Sequence, residues 1–135
     1  MNIDRDTLVA AARDALAHSY SPYSHFRVGA ALLGVDGLVY TGTNVENASF
    51  GLSICAERTA VFKAVSAGCT SFTACAVVTE TDTPTPPCGA CRQVLQEFAP
   101  GLEIHLAGRS TAVETHSLGD LLPRPFDTLD TGGDQ

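Results

Sequence analysis

A chain of 135 residues, 44% hydrophobic and 17% charged, has the size of one domain and enough apolar content to bury a core, which excludes general disorder and a disulfide-stapled miniprotein. Eight lysines and arginines against fifteen acidic residues leave a net charge of −7, a surface that repels phosphate backbones and argues against a nucleic-acid partner. No apolar stretch reaches the ~20 residues of a bilayer span and the opening MNIDRDTL lacks the order of a secretory signal, so the expectation is a cytoplasmic protein with no membrane partner, whose five cysteines serve as core residues, ligands or nucleophiles.

Residues 1–127 read as a single domain. The closing TGGDQ carries nothing apolar to anchor it, and 128–135 read as a flexible tail. In chain order, Leu8, Ala11, Ala12, Ala15 and Leu16 recur near a 3.6-residue period and predict a helix from Asp4 to His18, stopped by Ser19 and Ser21-Pro22. RVGAALLG and LVYTGTNV flank a Val35-Asp36-Gly37 turn signal, so 27–45 predict a β-hairpin. Residues 54–67 are rich in helix formers and run into Gly68, a suitable residue just past a helix end. FTACAVVT (72–79) predicts a strand, and a loop carrying Pro84, Pro86 and Pro87 leads to Cys88. GACRQVLQEF then predicts a helix halted by Pro100-Gly101. LEIHLAG and AVETHS predict two more strands, and SLGDLL a short last helix capped by Ser117. The order α-β-β-α-β-α-β-β-α implies an α/β fold: a five-stranded mixed sheet covered by helices on its faces, three layers α-β-α, with the strand order open.

Three cysteines carry the chemistry. Cys88 and Cys91, in Pro87-Cys-Gly-Ala-Cys, are three apart at a predicted helix start and so share a face; Cys55 opens another helix in Cys55-Ala56-Glu57. Helix starts favour thiolate, and thiolates suit Zn²⁺. A lone CxxC also fits a redox pair or a structural zinc, but a closed structural site requires a fourth soft ligand. Cys69 and Cys75 lack ligand spacing and read as core thiols, and the four histidines are scattered. Three protein ligands with an open fourth position is the arrangement of a catalytic zinc that holds water. Its charge requires compensation, for which Arg58 is the candidate and Arg92 a weaker one. Glu57, two residues from a ligand, is placed to act as proton shuttle and not as ligand.

These residues closely resemble the cytidine deaminase family, the small homotetrameric kind with three cysteine ligands. Besides Cys55-Ala56-Glu57 and Pro87-Cys88-Gly89-Ala90-Cys91, the match includes Tyr23-Ser24-His25-Phe26 with Val28 to Leu32, Asn44-Val45-Glu46-Asn47-Ala48, and Leu121-Leu122-Pro123 with Phe126, running from about residue 7 to 127. The wider zinc deaminases carry the related H-x-E…P-C-x-x-C signature. The resemblance implies one zinc per subunit, a cytidine deaminase-like fold, and a homotetramer whose active sites are shared between subunits. It implies deamination of cytidine and 2′-deoxycytidine to the uridines with release of ammonia, Glu57 carrying the protons. It also implies that Phe26 and Phe126 pack against the pyrimidine, Phe126 from a neighbouring subunit, that Asn44 and Glu46 bond the ribose 3′-hydroxyl, and that the Ala56 N–H meets the base carbonyl. Phe50 departs from the pattern, standing where relatives commonly carry Tyr.

Overall fold

Residues alternate along the strands between two faces, and both faces are covered. In the computed structural model, which describes residues 3–126, helix α1 (Arg5–Ala15) is followed by strands β1 (Val28–Gly34) and β2 (Val39–Thr43), helix α2 (Ala56–Ser66) and strand β3 (Phe72–Thr79). Helix α3 (Gly89–Phe98), strands β4 (Glu103–Ala107) and β5 (Val113–Ser117) and a single-turn helix α4 (Leu118–Leu121) complete it. The predicted tail at 128–135 lies outside the described residues.

The strands form one sheet in the order β2-β1-β3-β4-β5. Strand β1 pairs antiparallel with β2 (Ala31 opposite Thr41) and with β3 (Ala31 opposite Ala76); β3 pairs parallel with β4, and β5 returns antiparallel. The sheet is therefore mixed, with one parallel pair joined through α3. Helix α1 buries Leu8, Val9, Ala12 and Leu16 on Ala31, Ala76, Val78 and Ala107. The alternate strand residues Ala30, Leu32, Cys75, Val77, Ile104 and Leu106 face the opposite way, onto Ala60, Val61 and Ala64 of α2, Leu95 of α3 and Leu118 of α4. This is the period of two that a strand imposes. Burial of each such leucine contributes roughly 1.5–3 kcal/mol. Cys69 and Cys75 are buried in this second layer.

Local signals set the helix ends. Asp4 caps α1 by accepting the Thr7 N–H at 2.8 Å, and Ser117 caps α4 by accepting that of Asp120 at 3.2 Å. Gly68, past the end of α2, has a φ of +96°, a conformation that glycine adopts freely.

Helix α1 ends at Ala15, and the rest of the predicted helix, Leu16–His18, is a 3-10 turn; two further boundary shifts shape the site. The hairpin strands stop at Thr43; beyond them Val45 forms isolated bridges to Tyr20 and to Ile54. Pairing with Val45 holds Ile54 extended, and Cys55 is extended too (φ −78°, ψ 155°), so α2 begins at Ala56 and not at residue 54. Helix α2 lies close on β2 because Gly42 has no side chain: a Cβ there would stand 2.5 Å from both Ala56 O and Ala60 N.

Candidate metal centre and active site

Cys55 and Cys88 are the residues immediately before α2 and α3, and Cys91 lies in the first turn of α3. Neither Cys55 nor Cys88 uses its side chain to cap its helix, which leaves the sulfurs free beside two positive helix ends. The Cys55 and Cys88 sulfurs are 3.7 Å apart, those of Cys88 and Cys91 3.4 Å, and all three lie within 4.8 Å of one another. Sulfurs of a tetrahedral zinc site with ~2.3 Å bonds stand about 3.8 Å apart, so the trio fits one such ion with little adjustment. Among the described residues this is the one cluster of His, Cys, Asp or Glu with that convergence.

Arg58, in the first turn of α2, points back at the sulfurs. Its Nη2 lies 3.4 Å from Cys55 Sγ, and its Nε is buried without a hydrogen-bond partner. A buried cationic donor with spare capacity fits a centre carrying excess negative charge, as three thiolates around a divalent ion do. Hydrogen bonding from the Cys91 thiol and then from Arg58 holds the Cys55 thiol down to about 5, while Cys91, whose hydrogen is engaged by Cys55, is pushed up. Glu57 is only 4% exposed, and burial, reinforced by the charge of Cys55, raises its carboxyl to about 7. A carboxyl there can both take and give a proton near neutrality.

Cys55, Glu57 and Cys88 open into a cavity of about 260 Å³ whose other walls include Phe26, Asn44, Glu46 and Thr79, a size suited to a small ligand. The Val45 bridges carry Asn44 and Glu46 to this cavity. Asn44 is splinted: its Oδ1 accepts the Ser19 hydroxyl and the Val28 N–H (3.0 Å), and its Nδ2 donates to Phe26 O at 2.7 Å. Phe26, 38% exposed, offers its ring to the opening. Ala56 is the first residue of α2, where a backbone N–H has no acceptor within the helix.

Not every expected residue joins the cluster. Phe126 is absent from the cavity wall of its own chain and is 66% exposed; its backbone is held by the Gln93 side chain, which donates to Phe126 O and accepts its N–H at 3.3 Å. Arg92, considered as a second partner for the sulfurs, turns away from them. It donates to Pro87 O (2.8 Å), in the loop before α3, and to Leu121 O (2.7 Å), at the end of α4, where a helix leaves its last carbonyls without donors of its own. Phe50 lies edge-on to Tyr23 with ring centroids 5.9 Å apart, outside the metal cavity. Sequence reasoning gave no role to Ser19, Ser24 or Gln93, although Ser24 stands inside a matched motif, since the partners that define those roles lie 22 to 33 residues away.

The family model for the cytidine and deoxycytidylate deaminase zinc-binding region matches residues 2–103. A cytidine deaminase of Sporosarcina psychrophila is 46% identical over 129 residues, 95% of both chains, and one of Mycobacterium tuberculosis is 44% identical over 125 residues, covering 93% of this chain and 91% of that one. The crystal structure of cytidine deaminase from Burkholderia pseudomallei superposes with a TM-score of 0.89 at 51% identity, over 92% of this chain and all of the other. With three convergent sulfurs, a buried carboxyl beside them and this likeness along nearly its whole length, the chain belongs to the cytidine and deoxycytidylate deaminase family and has the family's zinc-binding site.

Proposed function

We propose that the protein hydrolyses cytidine and 2′-deoxycytidine to uridine and 2′-deoxyuridine, water adding at ring C4 and the amino group leaving as ammonia. Cys55, Cys88 and Cys91 hold zinc, which when bound supplies a water acidic enough to ionise near neutral pH. Glu57 takes one proton from the attacking water and passes it to ring N3. It then takes the second from the new C4 hydroxyl and gives it to the amino group, which leaves as ammonia while the C4 carbonyl forms. Its burial and its raised pKa support that double role. Arg58 and the two helix starts offset the charge of the sulfurs. The Ala56 N–H meets the base carbonyl, and Phe26 provides a flat apolar wall for the ring. Asn44 and Glu46 take the ribose 3′-hydroxyl, as a neutral donor and a charged acceptor.

Phe126 completes the site of a neighbouring subunit in a homotetramer. Its exposure in the single chain and the anchoring of its backbone by Gln93 support that role. The observation that carries the proposal is the meeting of Glu57 with Cys55 and Cys88, two of the three converging sulfurs, in one cavity. The test follows the ultraviolet absorbance of cytidine, 2′-deoxycytidine, cytosine, deoxycytidylate and blasticidin S with purified protein, with and without a chelator. Chelator-sensitive loss of the two nucleosides is the expected result. Turnover unaffected by complete removal of zinc, or confined to deoxycytidylate or blasticidin S, overturns it.

A further inference from the structure

The turn at 21–25 performs none of the chemistry assigned above, yet it makes more polar contacts with Glu46 than any other segment. Its chain reverses through His25, whose φ of +57° lies in the left-handed region, and the His25 N–H closes onto Ser21 O at 2.9 Å. Two successive amides, Tyr23 N and Ser24 N, then donate to Glu46 Oε1 at 2.9 and 3.0 Å, a small anion cradle. The Ser24 hydroxyl donates to the other oxygen, Oε2, and accepts the Phe26 N–H at 3.0 Å.

An ionised carboxylate offers about four acceptor positions. Here two are filled on Oε1 and one on Oε2, so one acceptor remains, on Oε2. Asn44 matches it: its Oδ1 is doubly occupied and its Nδ2 commits one proton to Phe26 O, leaving one donor. Both residues line the metal cavity. One vacant acceptor and one vacant donor are what a single hydroxyl requires.

We propose that Ser24 is a positioning residue for recognition of the nucleoside 3′-hydroxyl: its hydroxyl fixes Glu46 so that a single acceptor on Oε2 is presented, and the same oxygen ties that carboxylate to the backbone of Phe26, whose ring faces the base. The proposal rests on the assignment of Glu46 to the sugar. Ser24 is exposed and touches no metal ligand, so truncating it opens no buried cavity.

The test compares kcat/KM for cytidine and for 3′-deoxycytidine in the zinc-loaded enzyme and in its Ser24→Ala, Ser24→Thr and Glu46→Ala variants. Ser24→Ala is expected to lower the preference for cytidine by about tenfold, the scale of one hydrogen bond to a charged group, mainly through KM. Ser24→Thr restores the preference, and Glu46→Ala lowers it at least as far as Ser24→Ala does. A merely structural Ser24 lowers both substrates together and leaves the preference intact; that result, with Glu46→Ala still collapsing it, overturns the role of Ser24. An undiminished preference in Glu46→Ala overturns instead the assignment of Glu46 to the sugar.

Discussion

Replacing Glu57 by Gln removes one proton-carrying group at nearly constant volume and moves activity and stability in opposite directions. Glu57 is 4% exposed and titrates at about 7, because burial, aided by the nearby Cys55 charge, penalises its ionised form. Without the shuttle, kcat is expected to fall roughly 10²- to 10⁴-fold, a barrier increase of about 3–5 kcal/mol. Stability follows from linkage: a carboxyl raised from 4.5 to about 7 holds its proton longer in the folded state than in the unfolded one. Its contribution is intact below the unfolded value and is lost as pH rises through the folded one. Above both values this ionisation costs the metal-free fold about 3 kcal/mol, which Gln does not incur. The assays are cytidine turnover at full zinc occupancy and urea unfolding of the metal-free proteins at about pH 4 and about pH 8, the variant gaining stability only at the higher pH. Turnover within about tenfold of the native rate refutes the shuttle. Equal stabilities at high pH refute the electrostatic reasoning.

Arg58→Ala removes the donor 3.4 Å from Cys55 Sγ and is expected to weaken zinc binding by about 10- to 100-fold, as measured by competition with a chromophoric chelator. Gly42→Ala drives a Cβ to 2.5 Å from Ala56 O and Ala60 N; the forced retreat of α2 should cost about 1–3 kcal/mol in urea unfolding and lower turnover along with it. Glu46 is held below its ordinary 4.5, first by the Ser24 hydroxyl and then by the Ser24 amide. Its anchoring is therefore complete above the ordinary carboxylate range and is lost as pH falls through the depressed value. KM for cytidine should rise on that acid limb, and Ser24→Ala should move the rise to higher pH, which a KM–pH profile reads directly.

The short-range features of the molecule were legible before any coordinates. Cys88 and Cys91 share a face because they are three apart at a helix start, Ser117 caps the helix that follows it, and the apolar run RVGAALLG marks a strand, which the structure buries on both sides. Although the meeting of Cys55 with Cys88, 33 residues on, belongs to the tertiary structure, the motifs Cys-x-Glu and Cys-x-x-Cys were equally legible, because each compresses its geometry into two or three residues. Arg92 was not. From its place beside Cys91 it could serve the sulfurs, and only the position of the Leu121 and Pro87 carbonyls sends its guanidinium elsewhere.

Periodicity and capping act within one or two turns of chain, so composition and spacing settled the elements and the expected α/β layering and named three cysteines as candidate ligands. The strand order, the bridge that draws Ile54 out of α2, the splinting of Asn44 and the fixing of Glu46 by Ser24 were decided by tertiary structure. Each depends on which backbone amides and carbonyls meet across tens of residues, and that is determined by sheet register and close packing at Gly42 rather than by any local preference.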